Sequence, residues 1–205
     1  MKENSIFSKK EDLINAALNE FAENVYENAS LNVIIKNAGI SKGTFYYHFK
    51  NKEDLYFFIM DKVVKEKLEY ISGNSNNKNF DFNDIFEVLK QQAKLGIEFA
   101  SKFPIYSRIG QNFLKNKENE IYLKVKKRFS KESDNFFEML IKSNIENGNL
   151  RKDLPTDFII KIISFIFINS DQIMEELLDF NNLEKSLNYV EHLIETLKNG
   201  LSDKK

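Results

Sequence analysis

Apolar residues return at three- and four-residue intervals along almost the whole chain, and nowhere do they alternate in and out as a half-buried strand requires. Ile14, Ala17, Leu18, Phe21 and Val25 begin the pattern; Leu183, Leu187, Val190, Ile194, Leu197 and Leu201 end it. Only two prolines interrupt it. The expectation is an all-α protein of about nine helices, each burying one stripe against its neighbours. With 205 residues and 42% hydrophobic content, the chain can bury a core of one or two compact units.

Punctuation residues set the expected helix ends. The first amphipathic run covers 9–26, Ser30 caps a short second helix broken at Gly39, and Ser41 caps a third that ends at His48. Asn51 caps a fourth helix reaching about residue 71, with Glu53 and Asp54 in its first turn. The polar stretch 72–79 (SGNSNNKN) reads as a linker, so the predicted domains are 1–72 and 73–205. A stripe from Phe82 to Phe103 is stopped by Pro104, and a short helix reaches about residue 115. A long helix covers roughly 118–147 up to Gly148, and Pro155 stands where it would open a helix running to about residue 180. The last helix covers 183–198, with Gly200 near its end.

Several classes of chemistry find no support. The chain has no cysteine, which removes disulfides and thiolate chemistry, and its two histidines, His48 and His192, are far apart. No glycine-rich phosphate loop or paired-carboxylate motif stands out. The chain is predicted not to be an enzyme, with no cofactor and no metal. Its start carries no export pattern, and the longest apolar run, 158–168, is too short to span a bilayer. An unexported, cytoplasmic protein without a membrane partner is expected.

The formal net charge is -1, yet its distribution is uneven. Between Asn28 and Lys52 there is no Asp or Glu, while Lys36, Lys42, Lys50 and Lys52 all fall there. Two short helices joined at a glycine, with an acid-free basic surface, satisfy the description of a helix-turn-helix. The free N–H groups at the start of the third helix suit a phosphate, and Gly43 lets backbone come close to DNA. Thr44, Tyr46 and Tyr47 can hydrogen-bond bases or phosphates, while Phe45 and Phe49 turn inward.

The segment AGISKGTFYYHFKNKEDL (38–55), preceded by LINAALNEFAENVY (13–26) and ASLNVIIKNAG (29–39), closely resembles the signature of the TetR/AcrR family of transcriptional regulators. The resemblance covers the first quarter to third of the chain. It implies a helix-turn-helix at about 30–49, phosphate contacts from Lys42, Tyr47, His48, Lys52 and Ser30, and base contacts from Thr44 and Tyr46, with Gly43 among the DNA-binding positions. For Tyr46 and Tyr47 packing stays open, as does capping or packing for His48. Two positions depart from the family pattern. Val25 stands where a glycine ends the first helix, so that turn must close without a left-handed residue, and Ile35 replaces a small residue.

For the second half, the resemblance implies a helical ligand-binding and dimerisation domain in which the last two long helices meet their copies. Candidate interface positions are Ile166, Ile173, Leu187, Val190, Ile194 and Leu197, and the four-three spacing from Leu183 to Leu201 fits either a dimer seam or an intramolecular core stripe. Candidate pocket-wall residues are Phe86, Leu89, Phe99, Phe103, Tyr106, Phe113, Phe136, Phe137 and Phe165, against the alternative that these side chains only fill the core. The function implied is a repressor that binds palindromic double-stranded operator DNA as a homodimer and is released by a small apolar or aromatic effector. The alternatives are regulation by a protein partner without a ligand, and activation instead of repression.

Overall fold

The computed structural model describes residues 2–75, 83–115, 117–168 and 182–202; side chains at 2–8, 75, 130–136 and 167–168 lie outside that description. Nine helices fall among the described residues: α1 (Lys2–Glu23), α2 (Leu31–Asn37), α3 (Lys42–His48), α4 (Lys52–Ser75), α5 (Ile85–Lys102), α6 (Pro104–Leu114), α7 (Glu120–Glu146), α8 (Thr156–Ile168) and α9 (Leu183–Leu201). The only strand-like pairing among them is an isolated bridge between Leu150 and Ser202. The all-α expectation holds.

The caps form where residue chemistry places them. Ser30 and Ser41 stand extended and accept from the N–H groups of Val33 and Thr44. At α4 the capping is reciprocal: Asn51 Oδ1 accepts from the Asp54 N–H at 2.8 Å, and Asp54 Oδ2 accepts from the Lys50 N–H at 3.0 Å. Gly39 and Gly148 take positive φ values of 62° and 76° just past helix ends, a conformation L side chains adopt only with strain. Pro104 does more than stop a helix, because it occupies the first turn of α6. Pro155 lies one residue before α8, and its carbonyl accepts from Phe158 and Ile159.

Two local expectations need correction. The segment SGNS is helical and carries α4 to Ser75, because Ser72 Oγ and Asn74 Nδ2 return hydrogen bonds to the Glu69 and Tyr70 carbonyls at 3.1 and 2.7 Å. The last helix, α9, runs past the expected end at 198 to Leu201, with Gly200 near its end as expected, and Arg151 holds that end, with its N–H on the Leu201 carbonyl at 2.9 Å and Nη1 on the Gly200 carbonyl at 3.0 Å.

The compact units also do not follow a single cut near residue 72. Unit one comprises Met1–Leu68 and Lys102–Arg128; unit two comprises Glu69–Ser101 and Phe129–Lys205. In unit one, α1 packs on α2 and α6 over a core that includes Leu13, Ala17, Phe21, Ile34, Phe45, Leu55, Ile59 and Ile109. The packing of α6 on α1 is what brings a distant stretch of chain into the N-terminal unit.

Unit two is centred on Ile85, Leu89, Ile141, Leu150, Ile159 and Ile163, all fully buried. Ile194, Leu197 and Leu201 join that core, with Val190 and Ile166 packed at its margin. The α9 stripe is therefore a core stripe, and Ile194 and Leu197 are not available as dimer-interface residues, because their own chain already covers them. Leu187 and Val190 line a groove of about 240 Å³ between α9 and α5, bordered by Glu87, Lys90, Gln91 and Lys94. Ile173 lies outside the described residues.

Within this apolar centre, Asn144 is fully buried. Its Oδ1 accepts from the Ile85 N–H at 3.1 Å, which supplies a partner for one of the orphan donors at the start of α5, and its Nδ2 donates to the Leu140 carbonyl at 2.9 Å. Replacement Asn144→Ala leaves that N–H buried without an acceptor. A loss of about 1–3 kcal/mol in unfolding free energy by urea titration is expected; an unchanged midpoint would contradict the role.

Candidate nucleic-acid interface

A seven-residue helix cannot hold itself together in water, since isolated helices shorter than about 12–15 residues are marginal. α3 is held by its capping serine and by its aromatic face. Phe45 is fully buried and Phe49 nearly so. Their rings lie 6.1 Å apart, and Phe49 meets Phe58 of α4 edge-on at 5.4 Å. The inward roles expected for both phenylalanines are observed.

The opposite face of the same helix carries Lys42, Gly43, Tyr46 and Tyr47. Tyr46 is 58% exposed and Tyr47 77% exposed, so neither is a packing residue. The packing alternative is thereby closed for both. A Cβ added at Gly43 would meet only Ser41 Oγ, at 3.6 Å, so nothing in the protein itself demands glycine there. Thr44 is half-buried, with Oγ1 hydrogen-bonded to Ser41 Oγ at 2.9 Å. Ser30 Oγ accepts from the Val33 N–H at 3.4 Å and keeps its own hydrogen to give. The ring of His48 meets Tyr47 edge-on at 5.0 Å, and its Nε2 is buried without a hydrogen-bond partner among the described residues. A phosphate could reach Nε2 only if the ring turned.

Lys52 departs from the sequence reading. Its ammonium donates to the carbonyls of Tyr26, Glu27 and Ala29 at 2.7, 3.4 and 3.0 Å and sits 4.4 Å from the Tyr26 ring centre. Three donors meet three acceptors, which leaves none for a phosphate. Burial lowers its pKa, against the raising influence of Glu27 and Glu20. Lys52 braces the turn between α1 and α2.

Charge around the reading face is one-sided. Lys36, Lys42 and Lys50 are exposed, and the acids that follow are already engaged. Asp54 caps α4, and Glu53 pairs with Lys124 at 3.1 Å. Asp61 takes a two-pronged contact from Arg128 at 2.8 and 2.6 Å.

Sequence reading missed the residues that reach across long separations. Glu20 is buried, and its carboxylate accepts from the Ser30 N–H at 2.8 Å, joining α1 to the start of α2. A signal for it exists, since Glu20 lies three residues after Ala17 on the apolar face of α1. Asn112, Lys124 and Arg128 carry no comparable signal.

The expected pocket-wall residues fall in both compact units. Phe86 and Leu89 belong to the core of unit two, Phe99 is buried with its ring 5.7 Å from Tyr70, and Phe137 packs at the core margin. In unit one, Phe103 lies 6.0 Å from Tyr106, and Phe113 stacks on Tyr122 at 4.7 Å. Phe165, on α8, is 65% exposed. The Phe136 side chain lies outside the described residues.

Because the Ser41 cap holds the first turn of α3, Ser41→Ala should cost about 1 kcal/mol of stability. Thermal melting followed by circular dichroism measures it, and an unshifted melt would show that the cap contributes nothing.

The family model described as "Bacterial regulatory proteins, tetR family" matches residues 7–57, which span most of α1, all of α2 and α3 and the start of α4. Among curated relatives, the icaADBC biofilm-operon negative transcriptional regulator of Staphylococcus epidermidis is 27% identical over 99 residues, covering 45% of this chain and 54% of that protein. The fatty acid metabolism regulator protein of Bacillus subtilis is 43% identical over 56 residues, 27% of each chain. The matches thus span about half or less of these two relatives, and both are regulators, not enzymes. A solved TetR-family regulator from Chloroflexus aurantiacus shares the fold, with a TM-score of 0.72 at 23% identity over 98% of both chains. An exposed helix pinned by buried rings thus lies in the segment that the tetR family model matches, and the fold around it is the one seen in solved TetR-family regulators.

Proposed function

We propose that this chain is a cytoplasmic transcriptional repressor that binds palindromic operator DNA as a homodimer through α3 and is released by a small apolar or aromatic effector. The observation that carries the DNA-binding part is the pair Tyr46 and Tyr47, exposed on a helix whose other face is locked by Phe45 and Phe49, within a stretch free of acidic residues. Aromatic hydroxyls can reach bases or phosphates, the lysines around them supply the salt-dependent attraction to the backbone, and the α3 N-terminus adds free N–H groups. Repression is supported by the description of the Staphylococcus epidermidis relative as a negative regulator. Among the described residues no helix is long and apolar enough to cross a membrane.

The dimer face is assigned to α8. Phe158 and Phe165 are 48% and 65% exposed and lie seven residues apart on one face, with Ile162 between them. That stripe is exposed at its two phenylalanines, while Ile162 packs partly against the core of unit two. A second copy of the same helix, related by a two-fold axis, would bury it and set two reading heads at the spacing of a palindrome. The double substitution Phe158→Glu and Phe165→Glu should give a folded monomer in analytical ultracentrifugation. A stable dimer would move the interface elsewhere.

One observation favours the reading in which a protein partner replaces the small ligand: Phe86 and Leu89, expected at a pocket wall, fill a core instead. A thermal-shift screen with apolar and aromatic compounds separates the two, since a bound effector raises the melt in proportion to RT ln(1 + [L]/Kd).

Operator binding is tested by selecting a randomised duplex pool on the purified protein at physiological salt and sequencing the bound fraction. An enriched palindrome is expected. The double substitution Lys42→Ala and Tyr47→Ala should then abolish specific binding while shifting the thermal melt by less than about 0.5 kcal/mol in equivalent stability, as exposed positions do. Wild-type affinity in that variant would refute α3 as the DNA face.

A further inference from the structure

A helix leaves its last four carbonyls without intrahelical partners. At the end of α1 these belong to Glu20, Phe21, Ala22 and Glu23. The common closure by a left-handed residue is unavailable, since Val25 is β-branched and no non-glycine residue among those described has positive φ. The chain closes the helix from outside. The Glu20 carbonyl takes the Asn24 N–H at 2.9 Å, and the Phe21 and Ala22 carbonyls both take the amide of Asn112, on α6, at 3.1 and 2.9 Å.

Asn112 is about nine-tenths buried, and its Oδ1 accepts from Lys115 Nζ at 3.0 Å, which turns the NH₂ group toward α1. The next carbonyls along the turn, those of Tyr26, Glu27 and Ala29, converge on Lys52 Nζ at the start of α4. The Glu20 carboxylate then carries the constraint to the N–H of Ser30, the cap of α2. All these groups belong to unit one.

We propose that Asn112 and Lys52 are positioning residues for operator recognition: together they hold the α1–α2 turn, and through it the helix-turn-helix, at the angle that base contacts require. This inference rests on the operator-binding reading above. The two Asn112 hydrogen bonds make α6 the handle of the reading head, because a displacement of α6 by about 0.7 Å along them takes both outside hydrogen-bond range. A signal that shifts α6 therefore reaches α2 without touching DNA.

The test compares specific with non-specific binding, because phosphate contacts tolerate a misplaced head and base contacts do not. Asn112→Asp keeps the shape of the side chain but turns an oxygen toward two carbonyls. Lys52→Arg keeps the charge, yet a planar guanidinium cannot point three donors at three converging acceptors as an ammonium does. For each variant of the full-length protein, affinity is measured by fluorescence anisotropy for the selected palindrome and for an unrelated duplex of equal length, at one salt concentration. Circular dichroism checks folding.

Positioning predicts at least a tenfold loss on the palindrome, with the unrelated duplex within twofold of wild type, in whichever variant remains folded. An unchanged ratio of the two affinities in folded Asn112→Asp, with or without a lower melt, would reduce Asn112 to a stabilising contact and overturn the proposal. Equal losses on both duplexes in Lys52→Arg would make Lys52 a phosphate contact and overturn its part. Failure of the wild-type protein to enrich any palindrome is visible before either variant is made; it would remove the operator reading and the positioning role with it.

Discussion

The reading head of this protein depends on the burial of Phe45. α3 has seven residues, one capping serine and no acidic residue in its first turn, so its free energy of formation alone is unfavourable. Burying one phenylalanine is worth roughly 1.5–3 kcal/mol, which is comparable to the deficit of a helix this short. Phe49 adds a second inward ring and Phe58 a third from α4. Because the inward face is fully committed, the outward face is free to be polar, aromatic and exposed. Lys42, Gly43, Tyr46 and Tyr47 can serve recognition without being needed for folding.

Around that packed centre, the connections of unit one are polar and long-range. Glu20 joins α1 to α2, Lys52 joins α4 to the turn between them, Asn112 joins α6 to the end of α1, and Lys124 and Arg128 join α7 to α4. The exposed ion pairs among these contribute little individually, with a median of about 0–1 kcal/mol. The buried hydrogen bonds matter more, since a donor or acceptor left without its partner costs about 1–3 kcal/mol. Direction is the other consequence, because hydrogen bonds prefer narrow geometry where apolar contacts slide. Such connections transmit an angle as well as holding a fold.

Unit two obeys a different economy. Its core is aliphatic, and α5, α7, α8 and α9 contribute to it through single faces. Asn144, fully buried at that centre, satisfies the start of α5 and so replaces a local cap with a tertiary one. α9 buries Ile194, Leu197 and Leu201, whereas α8 buries Ile159 and Ile163 and keeps Phe158 and Phe165 exposed. That difference, invisible in either helix alone, favours α8 within the two-helix face that the family resemblance implies.

Local chemistry was legible because its causes are local. A serine at 30 or 41 caps the next turn, a glycine at 39 or 148 takes positive φ, and a three-four period selects a helix, all within a few residues of sequence. The all-α class, α2 and α3, the inward phenylalanines and the family signature could therefore be read directly from the residues. What the sequence by itself could not determine was which partner each face would meet. Lys52 looked like a phosphate ligand until three carbonyls converged on it, and the α9 stripe fitted a seam and a core equally well. Asn112 looked like an ordinary helical asparagine, though it closes a helix some ninety residues away. Those outcomes belong to the tertiary structure, because a periodic apolar face or a donor group states what it needs while only the packed chain decides what supplies it.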